Sequence, residues 1–188
     1  MQSPSTERVF VYSVDADNQL DSVSSDWLSF ARENQASHLN ADTVIDQPLF
    51  HFVTGWETQQ LYKMIFDRVR HTRRRVVIPF RCDSPSLRRF MELVVSPCAD
   101  GHLQLTGRLV RQEEREPVPL FDSSVSRTQD FIVVCSWCKR VEVSERWLDV
   151  ELALRQLELF NETCLPQISH GICAECMKRV ELEIDQAD

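Results

Sequence analysis

The sequence is short of glycine: among its 188 residues only Gly55, Gly101, Gly107 and Gly171 occur. No two of them are spaced as in a G-x-G-x-x-G or G-x-x-x-x-G-K-[ST] loop, which argues against a Rossmann or P-loop nucleotide enzyme. Long apolar runs are missing too. The fully apolar stretches cover only a few residues, so no membrane span is expected. The opening segment Met1–Arg8 is polar and lacks the apolar stretch of a secretory leader, which points to the cytoplasm. Positive charge is also in deficit, with 21 Lys and Arg against 29 Asp and Glu and a net of −8. Eight basic and fourteen acidic residues follow Glu114, so that second part alone carries −6. Such a chain repels phosphate backbones, and no nucleic-acid partner is expected. The single basic run, Arg68 to Arg75, reads as a solvated helix end running into a strand, or alternatively as an anion or partner patch.

What is present is a globular balance, 43% hydrophobic and 27% charged, which argues against disorder. Alternating apolar residues predict a strand over Val9–Val14 and a second over Leu20–Ser24, joined by the turn residues Asp15-Ala16-Asp17-Asn18. Ser25 is placed to cap a helix containing Trp27, Leu28, Phe30 and Ala31. Thr54, with Glu57 at the capping-box position, precedes a longer helix whose stripe is Leu61, Met64, Ile65 and Val69. Three more strands are predicted over Arg75–Cys82, Leu87–Val95 and His102–Val110. The order strand, strand, helices, strand, strand, strand describes an α+β unit over 8–111, an antiparallel sheet with helices on one face. Residues 112–128, rich in charge, Pro and Ser, read as an exposed linker. The remainder, 129–188, reads as a small helical appendage with a strand at Phe131–Val134 and a helix from about Ser144 to Phe160.

Seven cysteines in a reducing compartment are ligands, reactive thiols or core fillers rather than disulfides. Cys135-Ser-Trp-Cys138 and Cys173-Ala-Glu-Cys176 form two C-x-x-C pairs separated by 34 residues. Two such pairs supply the four sulfurs of a tetrahedral zinc site, and mononuclear iron takes the same ligand set. Four thiolates leave no open position for water, so the site is structural. Lys139, Arg140, Lys178 and Arg179 lie close in sequence to offset its formal −2 charge. His170 is a substitute ligand or a hydrogen-bond partner of the site. Cys82, Cys98 and Cys164 stand alone and read as small hydrophobes.

The segments Val14-Asp15-Ala16-Asp17-Asn18-Gln19-Leu20 and Asp26-Trp27-Leu28-Ser29-Phe30-Ala31 resemble the opening of a PAS sensory domain. Phe80-Arg81-Cys82-Asp83-Ser84-Pro85 with Arg88-Arg89-Phe90-Met91-Glu92-Leu93 resembles a bacterial PAS-like subgroup. Cys135-Ser136-Trp137-Cys138-Lys139 with Ser169-His170-Gly171-Ile172-Cys173-Ala174-Glu175-Cys176 is similar to a module found behind PAS domains in bacterial signalling proteins. The resemblance implies a five-stranded antiparallel sheet with flanking helices, a homodimer, and a small ligand between sheet and helices. No kinase, cyclase or helix-turn-helix output domain follows in this sequence, so a signal would leave through a separate protein partner. The reactive Asn-Cys-Arg of flavin-binding relatives is absent, and a heme would have only His51 or His71 to ligate it. Matching apolar faces across the 75–95 hairpin puts Cys82 and Arg89 at the end of the inward face. Arg89 there would meet an acidic ligand, or would simply belong to a turn network with Arg81, Asp83 and Arg88. The function expected is thus a non-enzymatic sensor with a structural zinc. The alternative is a thiol–disulfide redox protein using Cys135 and Cys138, against which no thioredoxin-like βαβ pattern surrounds that pair.

Overall fold

Two sheets share the molecule. The computed structural model describes residues 9–34 and 36–186. The polar segment Met1–Arg8, read above as lacking a leader, lies outside them. The first sheet contains β1 (Val9–Val14), β2 (Leu20–Val23), β3 (Val76–Arg81), β4 (Leu87–Pro97) and β5 (Leu103–Glu114), in the order β2-β1-β5-β4-β3 and wholly antiparallel. The strands fall where alternation predicts, and Val76↔Val95, Ile78↔Leu93 and Phe80↔Met91 pair apolar with apolar. Pairing continues past β3, because Cys82 N–H donates to Arg89 C=O at 3.0 Å.

Helix α1 (Ser25–Glu33) is capped one residue earlier than expected, because Ser24 accepts from Trp27 N–H at 3.2 Å. The short helix α2 (Ala41–Val44) carries an Asn40–Thr43 capping box. The long helix α3 (Trp56–Thr72) is not opened by Thr54. Gly55 precedes it at φ +88°, and a Cβ there would sit 2.8 Å from His170 C=O. Its start is therefore set by close approach to a distant strand, which only glycine permits. Leu61, Ile65, Phe66 and Val69 of α3 are buried on the sheet, as the stripe predicts, while Met64 is exposed. The basic run divides: Arg70 clamps the β1–β2 turn through Asp15 C=O and Asn18 Oδ1 and the β4–β5 turn through Gly101 C=O, whereas Arg73, Arg74 and Arg75 are exposed.

Beyond Glu114 the structure departs from the expected linker and helical appendage. Strand β5 runs through Glu114, and the 3₁₀ turn Pro119–Phe121 anchors in a core through the fully buried Val118 and Leu120. A second sheet follows: β6 (Ser126–Cys135), β7 (Val141–Val143), β8 (Arg146–Leu148) and β9 (Cys164–Gly171), ordered β8-β7-β6-β9. β6 and β9 are parallel; the other pairs are antiparallel. The helix expected over 144–160 is replaced by a hairpin and a short helix, α4 (Val150–Gln156). Ser144 and Glu145 both have positive φ, +48° and +64°, the pattern of a two-residue hairpin turn that no helix accommodates. Val150 and Leu154 are still buried as expected, but Trp147 lies in β8 and Leu157 is exposed. The chain closes with α5 (Ala174–Asp185).

The apolar interior forms two clusters. One joins β1–β5 and α3 to Cys135, Trp137, Cys173, Cys176 and Val180. The other joins Val118 and Leu120 to the inner faces of β6, β7, β9 and α4.

Candidate metal centre

The two C-x-x-C pairs meet because each is built into the end of an element. Cys135 is the last residue of β6, opposite Gly171 at the end of the parallel β9. The chain then turns tightly: Lys139 N–H donates to Cys135 C=O at 3.0 Å, and Cys135 N–H to Arg140 C=O at 2.8 Å. Ser136 N–H donates to Gly171 C=O at 2.9 Å, tying this knuckle to β9. The second pair opens α5, where Cys173 is the N-cap and its Sγ accepts from Cys176 N–H at 3.4 Å. The four Sγ atoms lie within 4.8 Å of one another. Cys138 Sγ and Cys173 Sγ are 3.7 Å apart, close to the edge of about 3.8 Å that Zn–S bonds of about 2.3 Å give a tetrahedron. No disulfide joins any of the described cysteines.

The surroundings favour thiolate. Cys173 N–H points at Cys135 Sγ (3.4 Å), and the helix N-terminus places partial positive charge at Cys173 and Cys176. Neighbouring thiols that donate to Cys135 hold its pKa far below the ordinary range. The same hydrogen bond and charge push Cys138 up to about 12, and its two neighbouring sulfurs raise Cys176 further still. Cys135, Cys173 and Cys176 are buried and Cys138 is half-buried, which leaves little access for substrate.

Contacts from β3 and α3 dock the centre on the first sheet and its long helix. Arg81 N–H, on the edge strand β3, donates to Trp137 C=O at 2.7 Å. Thr58 Oγ1 of α3 donates to Ser136 Oγ at 2.8 Å, and the Tyr62 and Trp137 rings lie 5.5 Å apart. At the far end of α5, Arg68 Nε donates to Ile184 C=O at 3.0 Å. Arg140 pairs with Glu175 across the two knuckles at 2.5 Å, and Lys139 Nζ donates to Ser136 C=O at 2.7 Å. His170 is not in the sulfur cluster. It is half-buried on β9, and burial followed by the nearby Lys139 charge lowers its pKa.

Cys82 and Arg89 are paired as expected but line different hollows. Cys82 borders a cavity of about 240 Å³ between α3, β3 and the first knuckle. Arg89 borders a polar cleft of about 320 Å³ together with Asn34, Asp83 and Phe121. The Arg89 guanidinium donates to Asn34 Oδ1 (3.1 Å) and Cys82 C=O (3.3 Å) and lies 5.5 Å from the Phe30 ring centroid. The turn network is larger than the hairpin. Asp83, 1% exposed, pairs with Arg81 and with Arg115 (3.1 Å), and Glu151 of α4 pairs with Arg88 (2.6 Å) and Arg115 (3.3 Å). Arg115, near the start of the expected linker, is only 5% exposed at its side chain and holds Ser84 and Pro85 carbonyls as well. Thr58, Tyr62, Arg115 and Glu151 were not singled out from sequence. Thr58 alone left a trace there, as a polar residue one turn before Leu61 on the buried stripe.

Comparison with models of known protein families and with curated protein sequences yields no match, so geometry and chemistry carry the functional reading: an α+β protein with a five-stranded antiparallel sheet and a four-cysteine cluster suited to a metal ion.

Proposed function

We propose that the chain is a non-enzymatic sensory or interaction module, a PAS-like sheet domain stiffened by a structural zinc held by Cys135, Cys138, Cys173 and Cys176. The observation that carries this reading is the closure of four sulfurs within 4.8 Å inside the protein's main apolar core. A dication there takes all four positions, leaves none for a substrate or water, and ties the end of β6 to the start of α5. The five-stranded antiparallel sheet with helices packed on it is the architecture that the PAS resemblance implies. Among the described residues no helix is long and apolar enough to cross a membrane. A homodimer acting on a separate signalling protein in the cytoplasm fits this reading.

Coupling between sheet and centre is short. A shift of β3 acts on the knuckle directly through Arg81 N–H and Trp137 C=O, and a shift of α3 acts through Thr58 and Ser136. Elemental analysis of protein purified without added metal tests the reading, with one zinc per chain as the expected result. Cys138→Ser should lose that ion and Cys164→Ser should keep it. Metal-free protein in which Cys135 and Cys138 cycle reversibly with dithiothreitol would replace the proposal with the redox alternative.

A further inference from the structure

We infer that the seam between α3, β3 and the first cysteine knuckle is a binding site for a small single-ring aromatic carboxylate. The inference rests on reading the chain as a small-ligand sensor and names the ligand class. The cavity there is about 240 Å³, below the roughly 300–1,000 Å³ of sites for drug-sized molecules, so one ring with one acidic group is the size it suits. Four rings wall it: Phe52, Tyr62, Phe80 and Trp137. Flat apolar walls of this kind favour a flat apolar body.

The polar part of the lining is rich in donors and contains no Asp or Glu. Thr58 donates to Ser136 Oγ, which leaves the Ser136 hydroxyl proton free to donate in turn. Trp137, which also lines the cavity, has a buried indole N–H with no hydrogen-bond partner. Lys139 uses one of its three N–H groups on Ser136 C=O and makes no ion pair among the described residues. Arg81 also lines the space, but Asp83 takes its charge. A cation without an ion pair among the described residues, beside surplus donors, is complemented by a singly charged group that only accepts, which is a carboxylate.

The backbone points the same way. Lys139 sits at φ +62°, where glycine is the unstrained choice, yet the position holds a long cationic side chain. The site is also wired to the metal centre, since Ser136 and Trp137 are the two residues between Cys135 and Cys138. A carboxylate bound there touches the knuckle itself.

The test uses the full chain with its metal content measured, titrated with benzoate, 4-hydroxybenzoate, phenylacetate and nicotinate up to millimolar concentration and followed by heteronuclear NMR. At least one should saturate and shift the amides of Thr58, Tyr62, Phe80 and Lys139, and benzamide should bind about tenfold more weakly than benzoate. Lys139→Gly, which relieves the backbone, should lower carboxylate affinity about tenfold, leave benzamide binding unchanged and retain the metal. Lys139→Arg should largely preserve carboxylate binding. Failure of all four acids to saturate, shifts confined to another surface, or equal benzoate affinity in Lys139→Gly and the native chain would overturn the inference. Native protein that holds one zinc per chain but binds no acid sinks only this inference. Native protein without metal sinks the zinc reading, and the same titration still decides the ligand.

Discussion

The core beneath the five-stranded sheet and the core within the four-stranded mixed sheet differ in what completes them. The second is closed by ordinary side chains: Val118, Leu120, Ile132, Val134, Leu154 and Leu165 meet with no cysteine of the cluster among them. The first includes Cys135, Cys173 and Cys176 alongside Leu61, Ile65 and Phe66. Strand β6 takes part in both, its middle in one core and its last residue in the other. The sulfur cluster is thus a corner of the sheet's own core, and the smaller sheet is the more self-sufficient of the two. This contrasts with the reading of 129–188 as an appendage that depends on metal while the sheet does not.

Disrupting the four-cysteine cluster is the strongest way to test that contrast. Structural zinc contributes about 10–16 kcal/mol of apparent binding free energy in small domains, and a preformed core retains part of its order without it. Cys173→Ser should therefore abolish metal binding and open α5, β3 and the C-terminal half of α3 to hydrogen exchange, while β6 and β9 stay protected. Uniform loss of protection from 129 onward with an intact first sheet would restore the appendage picture. Acid should act in the same direction, because protonated thiols do not ligate, and metal should leave as pH falls.

The converse experiment attacks the second core. Leu120→Ala removes a fully buried side chain and should cost about 2–5 kcal/mol by chemical denaturation, with the metal retained. Loss of metal in this variant would mean that the two cores form one cooperative unit.

A smaller effect should come from the ion network that bridges them. Glu151 is pushed up by burial, but the hydrogen bond and charge of Arg88 and the charge of Arg115 outweigh this and hold it below the usual carboxylate range. A depressed native pKa contributes stability in full above the unfolded value of about 4.3, and that stability is lost as pH falls through the native value. Glu151→Gln should lower stability at neutral pH and flatten its decline on the acid side, as measured by urea unfolding across pH. An unchanged acid limb would show that the bridge carries no net energy. A separate change concerns the α3 contact with β9: Gly55→Ala should cost about 1–3 kcal/mol through its φ of +88°, with the crowding against His170 C=O adding to it. Its thermal midpoint should fall while metal content stays at the native level.

Strand positions, the stripe of α3 and the two cysteine pairs were legible in the sequence because each is a local pattern. Alternation sets a strand face, a 3.6-residue repeat sets a helix face, and C-x-x-C sets two sulfurs on one turn. The second sheet was not legible. Its parallel pair, β6 and β9, joins segments about forty residues apart, and in Cys164–Gly171 only Leu165 and Gly171 are buried, so the period-2 signal is weak. The helix expected over 144–160 failed for a related reason. Trp147, Val150, Leu154 and Leu157 have helical spacing, but Ser144 and Glu145 adopt left-handed backbone that neither residue type announces.

By itself, then, the sequence determined the strand positions of the antiparallel sheet, the register of the 75–95 hairpin and the identity of the four clustered cysteines, since each of these follows from neighbours along the chain. The tertiary structure alone decided where those sulfurs reside. The parallel pairing of β6 with β9 brings Cys135 beside Cys173, and the β3 edge and α3 receive the knuckle through Arg81, Thr58 and Tyr62. Whether a C-x-x-C pair serves a separate appendage or the main core depends on which apolar faces remain uncovered once the sheets have formed. That is a property of non-local burial, which no local period encodes.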